Sequence, residues 1–367
     1  AKTRSFLEYF WTVRSMHAPL FKMARVAAAL PSSRAFHVVS TGFAGFLGAL
    51  AQKKRRRPLI LTEHGIYSKE RGIELLQASW INDDDSECDE NGGVQEVGFI
   101  RQMWIRFFEA LGRISYGAAK PIITLYEGNR QRQIHDGADP PRTRVIPNGI
   151  DLARFSALRG KRPAEIPRVL GLVGRVVPIK DIKTFIRAMR VVVGVLPDAE
   201  GFIVGPEDED KNYAEECHHL VRSLGLEKTV RFLGFQNVDE IFPRLGLNVL
   251  TSISEAQPLV VLEGFAAGVP CVSTDVGCVR ELVHGVTSDD QNHGTAGAVV
   301  EIASPEATAR AALALLADPK RWYAAQAAGV ARVERIYTQE IMLARYRSIY
   351  EHALEQGLEH GASSPQK

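Results

Sequence analysis

The chain has 367 residues, of which 45% are hydrophobic and 24% charged. These are the proportions of a folded protein of about two domains, and they exclude wholesale disorder. Forty-five basic residues against 43 acidic ones leave a net charge of +2, too balanced for a chain whose task is to neutralise nucleic acid. No apolar run approaches the roughly 18 to 20 residues that would span a bilayer.

Cys88, Cys217, Cys271 and Cys278 show neither CxxC nor zinc-finger spacing, and four cysteines are too sparse for a disulfide scaffold, so a reducing, cytoplasmic home is expected. The first residues, AKTRSFLEYFWTVRS, lack the apolar core of a secretory signal. In chain order, residues 5 to about 30 have helical spacing, and RAFHVVST (34–41) is a short β-branched run. FAGFLGALAQ returns to helical spacing and closes in the basic run Lys53 to Arg57, and LILT after Pro58 is a buried-type strand ending at Glu63-His64-Gly65. NDDDSECDENGG (82–93) is polar and turn-rich. A helix is predicted over about 97–118, then strands at PIITLYE and in RTRVIPNGID.

From Pro167 the alternation is regular. RVLGLVG, AEGFIVG, TVRFLGF, LNVLTS and PCVSTDVG read as strands, separated by helices such as DIKTFIRAMRVVVG, NYAEECHHLVRSLG and PLVVLEGFAAG. Parallel neighbours need crossover connections, so this pattern predicts parallel, doubly wound sheets. Two such domains are expected, 1–155 and 156–335, joined near 151–166. Helices are predicted at 304–316 and 319–356, the last of them crossing back to the first domain over 336–367, with a frayed tail.

In open α/β sheets ligands gather at the carboxyl ends of the strands. There Gly174 closes a strand, with Arg175 and Lys180 following as two cations suited to a diphosphate. Further along, Ser252-Ile-Ser-Glu-Ala-Gln-Pro-Leu-Val-Val-Leu-Glu263 puts Pro258 where a first helical position is expected, so that the N–H groups of Leu259 and Val260 point out of the helix end. Glu263 stands on the same helix in an apolar setting and wants partners: a ribose diol, or an internal cation such as Arg280.

Together, P-N-G-I-D (147–151), G-R-V-V-P-I-K (174–180) and the E-x7-E pair Glu255 and Glu263 resemble the retaining, GT-B fold glycosyltransferases of the family 4 type. TGFAGFLGALA (41–51), TEHGIYSKER (62–71) and SISEAQPLVVLE (252–263) more narrowly resemble the PelF-like members, cytoplasmic glycosyltransferases of Pel exopolysaccharide synthesis. The resemblance implies two Rossmann-like domains facing across a cleft, and transfer of a hexose from a UDP-sugar, UDP-glucose above all, to a growing polysaccharide. It implies no metal cofactor, a position peripheral to the inner membrane, and a membrane synthase complex as a partner. By motif position Arg175 and Lys180 would neutralise the diphosphate, Gly174, Leu259 and Val260 would line the donor, Glu263 would hold the ribose, and Glu255 and His64 would meet the hexose. A complete first domain of this type opens with a strand and a glycine-rich loop, and neither precedes Arg34, so an incomplete first domain is expected. The competing readings are a UDP-N-acetylglucosamine epimerase of the same fold and a non-catalytic nucleotide-sugar-binding subunit. Asp83-Asp84-Asp85 contains a D-x-D, expected to be a solvated loop rather than a metal site, and Lys53 to Arg57 is expected to be a surface run with anionic lipid as the alternative.

Overall fold

The computed structural model describes residues 6–81 and 97–362, with the side chains of 356–362 left aside. The chain divides into two compact units, Ala1–Ile146 with Arg345–Lys367, and Pro147–Ala344. The D-x-D and Cys88 lie outside the described residues.

Unit 1 holds strands β1 (Phe36–Val38), β2 (Leu59–Glu63), β3 (Ile122–Thr124) and β4 (Thr143–Val145), and helices α1 (Phe6–Ala29), α2 (Gly42–Arg55), α3 (Tyr67–Gln77), α4 (Phe99–Ala118) and α5 (Glu127–His135). Its sheet is parallel in the order β1-β2-β3-β4. Every residue of β2 is buried, as expected of a strand covered on both faces. The sequence reading passed over α3, whose apolar residues Ile73 and Leu76 are exposed while Leu75 alone is buried.

Unit 2 carries the larger sheet, with β5 (Val169–Val173), β6 (Glu200–Val204), β7 (Val230–Gly234), β8 (Leu247–Leu250), β9 (Cys271–Thr274) and β10 (Gly297–Val300). Its helices are α6 (Leu152–Ser156), α7 (Ile182–Val195), α8 (Lys211–Ser223), α9 (Val238–Ile241), α10 (Leu259–Ala266), α11 (Val279–His284), α12 (Ser288–Gln291), α13 (Pro305–Leu316) and α14 (Pro319–Ile336); α15 (Gln339–Ala362) begins in unit 2 and continues into unit 1. All pairings are parallel, in the order β10-β9-β8-β5-β6-β7. The order reverses between β8 and β5, so the loops leaving these two adjacent strands splay apart at their carboxyl ends and open a crevice.

Helix starts in unit 2 follow capping chemistry. Asp210, Ser304 and Asp318 accept backbone N–H bonds at the starts of α8, α13 and α14, with Pro305 and Pro319 in the first turn of the last two. Leu170, Phe185, Val192, Ile203 and Trp322 pack in one core between sheet and helices.

The predicted helix 319–356 is two helices, broken at Tyr337 and Thr338. The cause is a ladder with the P-N-G-I-D segment: Ile150 N–H donates to Tyr337 O (3.0 Å) and Gln339 N–H to Ile150 O (2.9 Å). A β-carbon on Gly149 would collide with the backbone of Thr338 and Gln339, so only glycine permits this approach.

Candidate functional site

The loops after β5 and β8 meet at the reversal point of unit 2. Gly174 N–H donates to Val204 O (2.8 Å) and Val176 N–H to Pro206 O (3.0 Å), which ties the β5 loop to the β6 loop. A single turn at Pro178–Lys180 then brings Lys180 back over Gly174: a β-carbon on Gly174 would lie 3.5 Å from Lys180 Cε and 4.0 Å from Nζ. Lys180 Nζ donates to Glu255 Oε1 at 2.5 Å, and Ser252 Oγ donates to the same oxygen at 2.8 Å. Lys180 and Glu255 are 18% and 17% exposed.

The β8 loop is fixed from below. Thr251 Oγ1 lies 3.0 and 2.9 Å from the carbonyl oxygens of Lys180 and Asp181, Ile253 N–H donates to Ile179 O (2.8 Å), and Thr274 Oγ1 donates to Ser252 O (2.7 Å). Gly277 has φ +53°, and a β-carbon there would strike the carbonyls of Glu255 and Ala256. Gln257 is buried, and its Oε1 accepts the Asn148 N–H at 2.7 Å while its Nε2 has no partner among the described residues. The P-N-G-I-D motif is therefore a support for the Glu255 loop.

Pro258 is the N-cap of α10 rather than its first residue, with φ −72° and ψ 108°. An extended ψ at this position starts the helix one residue later than expected, and Leu259 and Val260 still occupy its first turn. Among the described residues no hydrogen bond is made by their N–H groups, which leaves two donors at the positive end of the helix. Asn248 Nδ2 steadies the turn through Val260 O (2.8 Å).

The carboxylate of Glu263, a half-buried residue on α10, takes no hydrogen bond or ion pair among the described residues. Burial pushes its carboxyl above the usual range, against the pull of Arg154 and with the repulsion of Asp239. Arg280 is spent on Asp275 at 2.7 Å, so the internal ion pair considered for Glu263 is not made. Arg175 stands apart from Lys180 in character, 54% exposed and paired with Glu209 at 2.6 Å.

In unit 1 the exposed His64 follows β2, and its carbonyl accepts Asn129 Nδ2 at 3.2 Å. Beneath it Glu63 is 1% exposed. The Glu63 carboxylate accepts from Thr41 Oγ1 (2.9 Å), Tyr116 OH (2.7 Å) and Gln133 Nε2 (3.0 Å), and from the Tyr67 N–H. Burial raises its pKa while these four donors pull it down. The sequence reading gave Glu63 no role, although a glutamate closing a buried LILT run signals such a hub.

The site joins a cation, a carboxylate and a helix N-terminus at the crevice where open α/β sheets bind nucleotides. Residues 167–318 match the family described as glycosyl transferases group 1. That match lies wholly within unit 2. Residues 1–141 match a family described as a domain of unknown function, DUF3492.

The chain is 28% identical over 255 residues to a D-inositol 3-phosphate glycosyltransferase of Mycolicibacterium gilvum, covering 66% of this chain and 54% of that protein. It is 29% identical over 222 residues to the lipopolysaccharide core biosynthesis mannosyltransferase LpsB of Rhizobium meliloti, covering 58% and 61%. The chain thus spans little more than half the length of these relatives. Among solved structures, Anabaena HepE in complex with UDP has a TM-score of 0.69 at 21% identity, covering 90% of this chain and 82% of that one. Sucrose-phosphate synthase from Thermosynechococcus elongatus has 0.61 at 19% identity, covering 87% and 73%. The two parallel-sheet α/β units have the GT-B fold. No helix among the described residues is long and apolar enough to cross a membrane.

Proposed function

We propose that the chain is a retaining glycosyltransferase that moves a hexose from a UDP-sugar to a polysaccharide acceptor, with UDP-glucose and Pel-type exopolysaccharide as the donor and pathway its motifs favour. The observation that carries this reading is the grouping in unit 2 of Lys180, two unpartnered N–H groups at α10 and the unpaired Glu263. HepE has been solved with UDP and with UDP-glucose, which supports a UDP-sugar donor here.

In this reading Lys180 and the α10 N-terminus take the diphosphate, and Arg175 leaves Glu209 to join them. Charge grows on the departing diphosphate in the transition state, so preorganised donors at that place lower the barrier without side-chain proton chemistry. Glu263 accepts from the ribose hydroxyls. Glu255 orients the hexose, and the leaving phosphate receives the acceptor proton. No resident metal is required by this scheme.

The test is a thermal-shift series with UDP, GDP, ADP and UDP-glucose in metal-free buffer, followed by a transfer assay with labelled donor. A ligand at about 100 times its Kd stabilises by about 2.7 kcal/mol, a rise of roughly 5 to 10 °C for a unit of this size. UDP is expected to produce such a rise, and no rise, or one that needs magnesium or manganese, refutes the proposal.

A further inference from the structure

We propose that unit 2 carries a second ligand site, a cavity for a small phosphate ester with an apolar body, between the 157–166 segment and α14. The inference stands apart from the nucleotide-sugar reading, and the two can fail separately.

The cavity has a volume of about 440 Å³, and its walls include Arg159, Arg162, Glu165, Trp322, Tyr323 and Gln326. This size suits a small molecule. The apolar part of the wall is aromatic: the Trp322 ring, 2% exposed, lies edge-on to the Tyr323 ring at 5.1 Å. Two guanidinium groups supply the polar part.

Arg162 is half-buried. Its Nη1 and Nη2 donate to Phe242 O (3.0 Å) and Leu245 O (2.9 Å), and its guanidinium carbon lies 5.4 Å from the Trp322 ring centre. These contacts account for its position and leave its charge unanswered, because among the described residues no carboxylate pairs with it. Burial pushes its pKa down to about 10, against a weaker pull from Tyr323, so the group is still a cation at neutral pH. A cation withdrawn from water wants an anion. Arg159 lines the same cavity. Its Nε donates to Ala266 O (2.7 Å) and its Nη1 to Glu334 Oε1 (2.8 Å), while Nη2, though buried, has no partner among the described residues. Glu165 is exposed and pairs with neither arginine. A buried donor without an acceptor is costly, and an oxyanion in the cavity serves both guanidinium groups. A phosphate ester brings three acceptor oxygens and about −1.5 to −2 charges, enough for two forks, whereas a carboxylate serves one.

The cavity lies away from the donor crevice. Arg159 bonds to the last residue of α10, and Gln326 Nε2 donates to Gly268 O (2.8 Å) just beyond that helix. Leu259 and Val260 stand at the other end of α10, about 12 Å away along its axis. A ligand in one site therefore leaves room for a ligand in the other.

The experiment is calorimetric titration of the full chain, with saturating UDP present, by phenyl phosphate and by benzoate. The proteins are the parent, Arg162→Ala and Ala327→Glu. Arg162→Ala also loses two structural bonds, so Ala327→Glu, which sets an acid on an exposed cavity residue of α14, keeps the test independent of folding. The parent should bind phenyl phosphate about tenfold more tightly than benzoate, and each substitution should weaken phenyl phosphate about tenfold or more. UDP affinity should be the same in Ala327→Glu and parent. No binding of phenyl phosphate by the parent, or equal affinity in parent and Ala327→Glu, overturns the inference, and so does a parallel loss of UDP affinity in Ala327→Glu. Benzoate binding as tightly as phenyl phosphate overturns the assignment of a phosphate. A parent that binds phenyl phosphate in this way but no UDP upholds the inference and removes the donor reading instead.

Discussion

Arg175 and Lys180 stand five residues apart in one motif and look interchangeable in sequence, yet the structure gives them unequal tasks. Lys180 is 18% exposed and bonded to a Glu255 that is 17% exposed, whereas the Arg175–Glu209 pair is about half exposed on both sides. Lys180→Ala removes a charge-assisted contact worth about 1.5 to 3 kcal/mol, and it leaves the Glu255 carboxylate unpaired beside the diphosphate. UDP affinity should fall roughly 30- to 100-fold. Arg175→Ala removes a cation that must first leave a screened surface pair worth at most about 1 kcal/mol, and the fall should be nearer tenfold. In Lys180→Ala/Glu255→Ala the stranded carboxylate is gone as well, so UDP should bind about three- to tenfold better than to Lys180→Ala alone. Titration calorimetry of UDP against the four proteins decides the matter. The reasoning fails if Arg175→Ala costs more than Lys180→Ala, or if the double variant binds no better than Lys180→Ala.

Glu263→Ala should weaken UDP binding while leaving pyrophosphate binding as it was, because its contact is to the ribose; equal UDP affinity in both proteins would remove that assignment. Glu63 has its pKa raised by burial, so the native state holds its proton more tightly than the unfolded chain, and its contribution to stability declines as pH rises from about 4.3 through the raised value. Urea melts of parent and Glu63→Gln across pH 4 to 8 should therefore differ in slope, with Glu63→Gln about 1 to 3 kcal/mol less stable at pH 7, where its amide opposes donors that now meet a carboxylate. Asp290→Ala strands the guanidinium of Arg332, which is 0% exposed and bonded to Asp290 Oδ1 at 2.7 Å. A loss of about 3 to 5 kcal/mol in denaturant unfolding is expected, and a loss below 1 kcal/mol would mean that Arg332 is held by its carbonyl partners alone.

The unit 2 sheet was legible because its strands are continuous apolar runs and several of its helices, α8, α13 and α14 among them, open on Asp or Ser caps, both local signals. Where the deciding contact is distant in sequence, legibility fails. The break at Tyr337–Thr338 carries no glycine or proline and is set by Ile150. Gln257 reads as a spacer between Glu255 and Pro258 until its oxygen is seen on Asn148 N–H. Pro258 stands one residue ahead of the first helical position that proline favours, because its ψ of 108° is extended. The structure brings Lys180 and Glu255 into contact, and the difference between Arg175 and Lys180 lies in burial, which spacing does not carry.

The supports of the Glu255 loop explain why a motif without chemistry of its own belongs to the site. The chain passes from unit 1 to unit 2 at Ile146–Pro147 and back at Ala344–Arg345. Between these points Asn148 bonds to Gln257, and Ile150 bonds to Tyr337 and Gln339, so one short ladder fixes the loop that carries Glu255 and the start of the helix that leaves the unit. Gly149 is held to glycine by the backbone it faces, and Asn148 contributes through its N–H rather than its side chain. The demand on this segment is therefore one of backbone path: a side chain at 149 would part the ladder, and Glu255 would lose its bearing on Lys180 without any change to either residue.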